Sequence, residues 1–325
     1  MVSVSGITPS GRLTLGNHLG ALRRFASHGD ASKDFFFVAD LHAMTTRHDP
    51  RRLRSLTRET ALLMLAAGLP EATVFVQSAV PAHAQLGYLL ECTSYVGELS
   101  RMIQYKEKGG RPMTRASLFT YPCLMAADIL LYGATRVPVG GDQDQHVELA
   151  RDVAIRFNRE YGETFVVPQL HKAALAARIK DLQQPATKMS KSDADDAIGV
   201  IRLLDPVDVI RRQVMRAVTD SDNEVRYDEE AKPGVTNLLE ILASCTDGDP
   251  RELAASYTSY GELKRDVAYA VVVVIEPLQK RYADLARDAG EVDRILAAGR
   301  DRAIEASAPT LARAAAAMGL GGQVR

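Results

Sequence analysis

No tryptophan occurs in the 325 residues, and cysteine occurs three times, at positions 92, 123 and 245. Three widely spaced thiols leave no disulfide framework and no zinc-ligand spacing; they fit reduced cysteines in a cytoplasmic protein. Long apolar runs are missing too. The most hydrophobic stretch, Ala268 to Ile275, stops at Glu276 and Pro277, far short of the ~18 residues that suggest a membrane span. The amino-terminal text, MVSVSGITPSG, lacks the basic start and apolar stretch of a secretory signal. Nor does one sign of charge prevail: 40 basic residues face 41 acidic ones. Nothing global advertises a nucleic-acid partner, so any such contact must be local. Two segments qualify, Arg47 to Arg58 with five arginines against one aspartate, and Arg101 to Arg115 with five basic residues against Glu107. A solvated helix face or loop is the alternative for either run.

Present instead is an ordinary globular composition, 46% apolar and 25% charged, in a chain long enough for two units with their own cores. In the first half, short apolar runs at Val2 to Val4, Asp34 to Ala39, Thr73 to Val76 and Arg136 to Val139 alternate with helical stretches such as Arg52 to Ala67 and Ala84 to Met102. Strands apolar on both faces, separated by crossover helices, predict a doubly wound α/β domain around a parallel sheet. Beyond about Pro185 strand signals cease. Asp205-Pro206-Val207-Asp208 and Asp249-Pro250-Arg251-Glu252 each read as a helix start, with a capping carboxylate, proline first in the helix and an acid at the third position. The second unit is expected to be all-helical, with Thr219 to Gly234 as an irregular connection.

In such sheets ligands bind beyond the carboxyl ends of the strands. There the chain places Ser5 to Gly11 with Gly16 and Asn17 opening a helix, then Asp40 and His42, then Gly140 to Gln143. Three polar clusters aimed at one crevice make a site. Neither G-x-G-x-x-G at the first turn nor a P-loop G-x-x-x-x-G-K-[ST] occurs, which disfavours a nicotinamide dehydrogenase or a P-loop ATPase. Lys188-Met189-Ser190-Lys191-Ser192 is the most specific string: two ammonium groups three residues apart on a small-residue loop can both reach a polyphosphate. No convincing Ser-His-Asp or Cys-His set accompanies it. Separately, Tyr121, Met125 and Asp128 are spaced to share one helix face, an apolar stripe carrying one carboxylate. Taken alone, that stripe reads equally as core.

Thr14-Leu15-Gly16-Asn17 is similar to the HIGH motif of class I aminoacyl-tRNA synthetases, and Lys188 to Ser192 matches their KMSKS motif letter for letter. Over nearly the whole chain the text resembles the bacterial tryptophanyl-tRNA synthetase family, in SGITPSG, VPAHAQLGYLLECTSYVGELSRM, YPCLMAADILLY, DQHVELARDVAIRFN, AVTDSDNEVRYDEEAKPG and AMGLG. The resemblance implies a Rossmann-like catalytic domain over 1–182 with a dimer-forming insertion. It further implies a helical anticodon-binding domain over 183–289 that begins with the KMSKS loop, and a terminal helix over 290–325 packing back on the catalytic domain. It also implies the substrates L-tryptophan, ATP and tRNA(Trp), Mg2+ accompanying ATP and no protein-bound metal, and a homodimer joined through Ala79 to Met102.

Residue by residue, the same resemblance implies that Asp128 accepts the indole N–H. Tyr121, Met125, Gly6, His42, Val137, Val139 and Gln143 would line the amino-acid pocket. Thr8, Pro9, Ser10, Gly16, Asn17, Gly140, Gly141, Asp142, Ile179 and Lys188, Met189, Ser190, Lys191 and Ser192 would hold ATP. Lys188, Lys191 and Lys108 would meet the charge of the leaving pyrophosphate. Thr8 and Gly141 depart from the family, which usually has glutamine at the first position and in many members glutamate at the second; both departures fall on the nucleotide side. Activation of tyrosine, or a catalytically idle sensor of tryptophan or RNA, remain alternatives. Met125 speaks against the first, because the tyrosine enzymes carry glutamine there, and the intact lysines speak against the second.

Overall fold

The computed structural model describes residues 2–28, 33–69, 73–139, 144–172, 179–191, 194 and 196–321. Strands β1 (Val4–Ile7), β2 (Phe35–Val38) and β3 (Val74–Val76) form a parallel sheet in the order β1-β2-β3. Strands β4 (Arg136–Val139) and β5 (Gln169–Lys172) pair in parallel as well, and β4 lies alongside β1. The spatial row is therefore β3, β2, β1, β4, β5, the order of a Rossmann-like fold.

Strand β2 shows why this sheet is covered on both faces. Its four residues are all buried; Phe36 and Val38 enter one apolar cluster, Phe35 and Phe37 the other, as the two-residue strand period demands. The first cluster takes in residues of the helices Pro50–Ala66, Pro233–Thr246 and Tyr260–Arg287; the second takes in Ala82–Glu91, Ala116–Leu130 and Asp144–Tyr161. The first cluster runs without interruption from Leu13 and Leu63 to Leu239 and Val271, so one core spans both sides of residue 182. The last helix, Ala289–Ala317, packs on β3 and on the Ala82–Glu91 helix, with the Arg302 guanidinium 4.3 Å above the Phe35 ring.

Several local expectations are corrected. The first strand is Val4–Ile7 rather than Val2 to Val4, so Ser5, Gly6 and Ile7 belong to the strand and not to the loop after it. Strand β5 has no apolar run to betray it. The expected helix Ala84 to Met102 divides into Ala82–Glu91 and Val96–Leu99, followed by Ile103–Lys108. At the break the Thr93 and Ser94 hydroxyls donate back to the Leu90 carbonyl at 3.1 and 2.8 Å, competing with the helical ladder. Asp249 does cap its helix, accepting from Arg251 and Glu252 N–H, whereas the helix after Asp205 is Val207–Met215, beyond its reach. Asp205 instead accepts from the Arg202 N–H and faces the Arg12 guanidinium. The expected irregular connection from Thr219 ends at Lys232, because Pro233 and Gly234 already open the next helix; it is pinned by buried Lys232, whose ammonium donates to Asp220 at 2.9 Å and Asp222 at 3.2 Å.

Candidate active site

The helix Ala116–Leu130 carries Tyr121, Met125 and Asp128 along one side, beneath the carboxyl ends of β2 and β3. Asp128 is 4% exposed. Its Oδ1 accepts from Gln77 Nε2 at 2.7 Å and from His83 Nδ1 at 2.6 Å, and its Oδ2 lies 2.8 Å from His42 Nε2. Burial alone would raise this carboxyl; hydrogen bonds from His42 and His83, and then their charge, outweigh it and hold the group below the usual carboxylate range. An ionised carboxylate offers about four acceptor positions. Among the described residues, Gln77, His83 and His42 fill three of them.

Each partner is itself oriented. The Leu41 N–H donates to Gln77 Oε1 at 3.2 Å, turning the Gln77 amide nitrogen toward Asp128. On the other side of the ring, His83 Nε2 lies 2.8 Å from the Tyr132 hydroxyl. Burial, reinforced by the Asp128 charge, pushes the Tyr132 phenol up and keeps it a donor. Asp40 ties the two strand ends together by accepting from the Ser78 N–H at 2.9 Å and from its hydroxyl. Tyr121 is hydrogen-bonded to His146 Nε2 and meets the His42 ring edge-on at 6.2 Å between centroids; burial raises its phenol to about 12. Met125 is half-buried. Gly6 is open on β1, yet a β-carbon there would come within 2.5 Å of the Phe37 ring.

Gln77 and His83 are partners of Asp128 absent from the expected set. Gln77 follows the end of β3, the same kind of position that singles out Asp40 and His42. His83 has no local signal, being buried inside the Ala82–Glu91 helix.

A second cluster gathers where β1 ends. Ile179 to Asp181 pairs antiparallel with Thr187 to Met189: the Met189 N–H donates to Ile179 O at 3.1 Å, the Asp181 N–H to Thr187 O at 2.9 Å, and Lys180 stands opposite Lys188. Just past this hairpin the Lys191 ammonium donates to Thr8 O at 2.5 Å. Burial first, then the charge of Lys188, lowers Lys191 to about 8. The Thr14 to Asn17 stretch closes against the same region. Leu15 N–H donates to Ile201 O and Leu203 N–H to Leu13 O, both at 2.9 Å, while Asn17 Oδ1 accepts from Thr14 N–H and Oγ1. A β-carbon on Gly16 would lie 3.5 Å from that of Ile179. Pro9 is buried beside this turn; Ser10 and Lys108 are exposed, and their side chains enter no hydrogen bond or ion pair among the described residues.

Of the other expected site residues, Val137 and Val139 sit in β4, which is described by its backbone. Gly140, Gly141, Asp142, Gln143 and Ser192 lie outside the described residues. A cavity of about 270 Å³ opens between Asp196, Arg202, Asp205, Arg212, Gln213 and Arg216, none of which belongs to the expected amino-acid or nucleotide sets.

A Rossmann-like sheet, a carboxylate cradle at its crevice and a lysine loop at the end of β1 define a nucleotide-using α/β enzyme of the synthetase type. The family model for class I tRNA synthetases (W and Y) matches residues 1–275, and the chain belongs to that family. It is an aminoacyl-tRNA ligase. Over 324 residues it is 56% identical to Tryptophan--tRNA ligase 1 of Streptomyces coelicolor, covering 97% of this chain and 96% of that protein. Among solved structures it is similar to tryptophanyl-tRNA synthetase from Mycoplasma pneumoniae, with a TM-score of 0.88 at 35% identity and 99% of each chain covered. It is also similar to the Campylobacter jejuni enzyme complexed with ADP and tryptophan, with a TM-score of 0.82 at 30% identity, covering 98% of this chain and 100% of that one.

Proposed function

We propose that this site activates L-tryptophan with ATP and transfers it to tRNA(Trp) in the cytoplasm. The observation that carries this reading is the Asp128 carboxylate, desolvated and ionised. The indole N–H is a lone donor on a large apolar ring, matched by one carboxylate beside Tyr121 and Met125. In the first step the tryptophan carboxylate attacks the α-phosphorus of ATP and pyrophosphate departs, giving the aminoacyl-adenylate. In the second, a ribose hydroxyl at the tRNA 3′ end attacks the activated carbonyl and AMP leaves. Neither step needs a protein nucleophile; positioning and charge stabilisation suffice.

Lys188 and Lys191 bear on the charge gathering on pyrophosphate, and Lys108 assists. Thr8, Pro9, Gly16, Asn17 and Ile179 frame the nucleotide. Mg2+ accompanies the triphosphate. The helical region beyond residue 182 reads the anticodon. Two copies join through the Ala79 to Met102 stretch, which leaves Tyr88 and Val96 bare.

The decisive substitution is Asp128→Ala. A site built around a substrate N–H rejects an analogue lacking it by about 10⁴ to 10⁵, so the variant should lose most of its preference for tryptophan over phenylalanine in ATP–pyrophosphate exchange. Because the chain has no tryptophan of its own, indole fluorescence follows ligand binding directly. A variant that discriminates as the parent does, or a parent that exchanges with tyrosine in preference to tryptophan, would refute the assignment.

A further inference from the structure

We propose that Asn237, which lies outside both motif loops, is a positioning residue for the lysine loop. The inference rests on the reading that Lys188 and Lys191 act on the leaving pyrophosphate. Asn237 sits in the second turn of the Pro233–Thr246 helix and is 1% exposed. Its carboxamide is spent wholly on one backbone residue: the Lys180 N–H donates to Asn237 Oδ1 at 2.9 Å, and Asn237 Nδ2 donates to the Lys180 carbonyl at 3.0 Å. Lys180 is the residue that stands opposite Lys188 in the antiparallel bridge. A helix of the distal region thus holds one side of the hairpin whose other side carries the first lysine of the loop.

The surroundings make this an anchor rather than an incidental contact. The Val218 N–H donates to Leu182 O at 2.8 Å, two residues along the same strand of the hairpin. Gly234, at the helix start, packs so closely that a β-carbon would come within 2.1 Å of Val218 O. Immediately before that helix, Lys232 is fixed by Asp220, Asp222 and the Tyr260 hydroxyl. Seen from the hairpin, Ile179 to Leu182 is bound by the loop strand on one side and by Val218 and Asn237 on the other. The backbone groups of Lys180 are partly buried in this contact, and removing the amide leaves them unpaired, so the hairpin must shift to rehydrate them fully. A displacement of about 1 Å at charged groups that must meet a transition state can lower the rate about 100-fold.

The test compares exchange kinetics with ligand binding. Asn237→Ala should lower kcat/KM for ATP in pyrophosphate exchange by about 10- to 100-fold, with the tryptophan Kd from indole fluorescence unchanged. Asn237→Asp, which keeps the acceptor but sets a second oxygen against the Lys180 carbonyl, should show the same split and serves if the alanine variant does not fold. Combined with Lys188→Ala, either change should add little, because groups that act as a unit are not additive. A folded variant with parental exchange overturns the proposal, as does an equal loss of tryptophan affinity or a full additional loss in the double variant. A Lys188→Ala protein as fast as the parent would instead overturn the role given to that lysine.

Discussion

The Lys191 ammonium is under opposing demands: burial and the neighbouring Lys188 charge push its proton off, while its proposed work requires the proton to stay. Lowered to about 8 from an ordinary 10.5, it is charged below about pH 8 and neutral above. The kcat/KM for ATP, which reports the free enzyme, should therefore fall as pH rises through about 8 at saturating tryptophan. Bound triphosphate restores the proton, so kcat itself should hold to higher pH. Unfolding does not mimic this loss. Between about 8 and 10.5 the unfolded chain binds the extra proton, so this group's contribution to stability rises with pH while activity falls. Lys191→Arg should remove the inflection near pH 8, and Lys191→Ala should lower adenylation about 10² to 10³-fold, the range for one preorganised donor. A parent whose kcat/KM is flat from pH 7 to 9.5 would contradict the role.

At the scale of elements, the last helix shows what a short side chain secures. Strand β3 pairs with β2 alone among the described strands, and an open strand edge invites unwanted pairing unless something covers it. The Ala289–Ala317 helix does so with Gly299, where a β-carbon would stand 2.0 Å from Val74 O. Neither the strand nor the helix can yield cheaply there. Gly299→Ala should destabilise the fold by about 1 to 3 kcal/mol of overpacking, despite alanine's better helix propensity of about 1 kcal/mol. Urea denaturation with an unchanged slope and a lower midpoint is the expected result; an equal or higher midpoint would mean the helix does not seat on β3 as described. The elements also show what sequence can and cannot carry. Phe35 to Val38 is readable as a doubly buried strand because every residue is apolar. Gln169–Lys172 is not, since QLHK has no apolar run and takes its strand form from pairing with β4. Asp128 is visible as one carboxylate on an apolar helix face. Gln77 and His83, 51 and 45 residues away, become its partners through tertiary packing alone.

For the molecule as a whole, the distribution of bare apolar surface is the informative quantity. Isolated exposed aromatics are ordinary, but clustered ones mark contact surfaces. Tyr88 is 66% exposed, Tyr95 56% and Val96 73%, all within one short stretch whose other face, Leu86, Leu89, Leu90 and Leu99, is buried in the core. The Ala82–Glu91 helix packs that inner face on Ala116–Leu130, so whatever covers Tyr88 also backs the helix that carries Asp128. A second copy of the chain, meeting patch to patch across a two-fold axis, is the economical cover. Sedimentation equilibrium should give twice the 35.4 kDa chain mass, and a Tyr88→Glu/Val96→Glu protein should sediment as a monomer. If the dimer also steadies the pocket, that variant should bind tryptophan more weakly, and its thermal midpoint should no longer rise with protein concentration as the parent's does. A parent that stays monomeric at every concentration, or a doubly charged variant that remains dimeric, would place the contact elsewhere on the molecule.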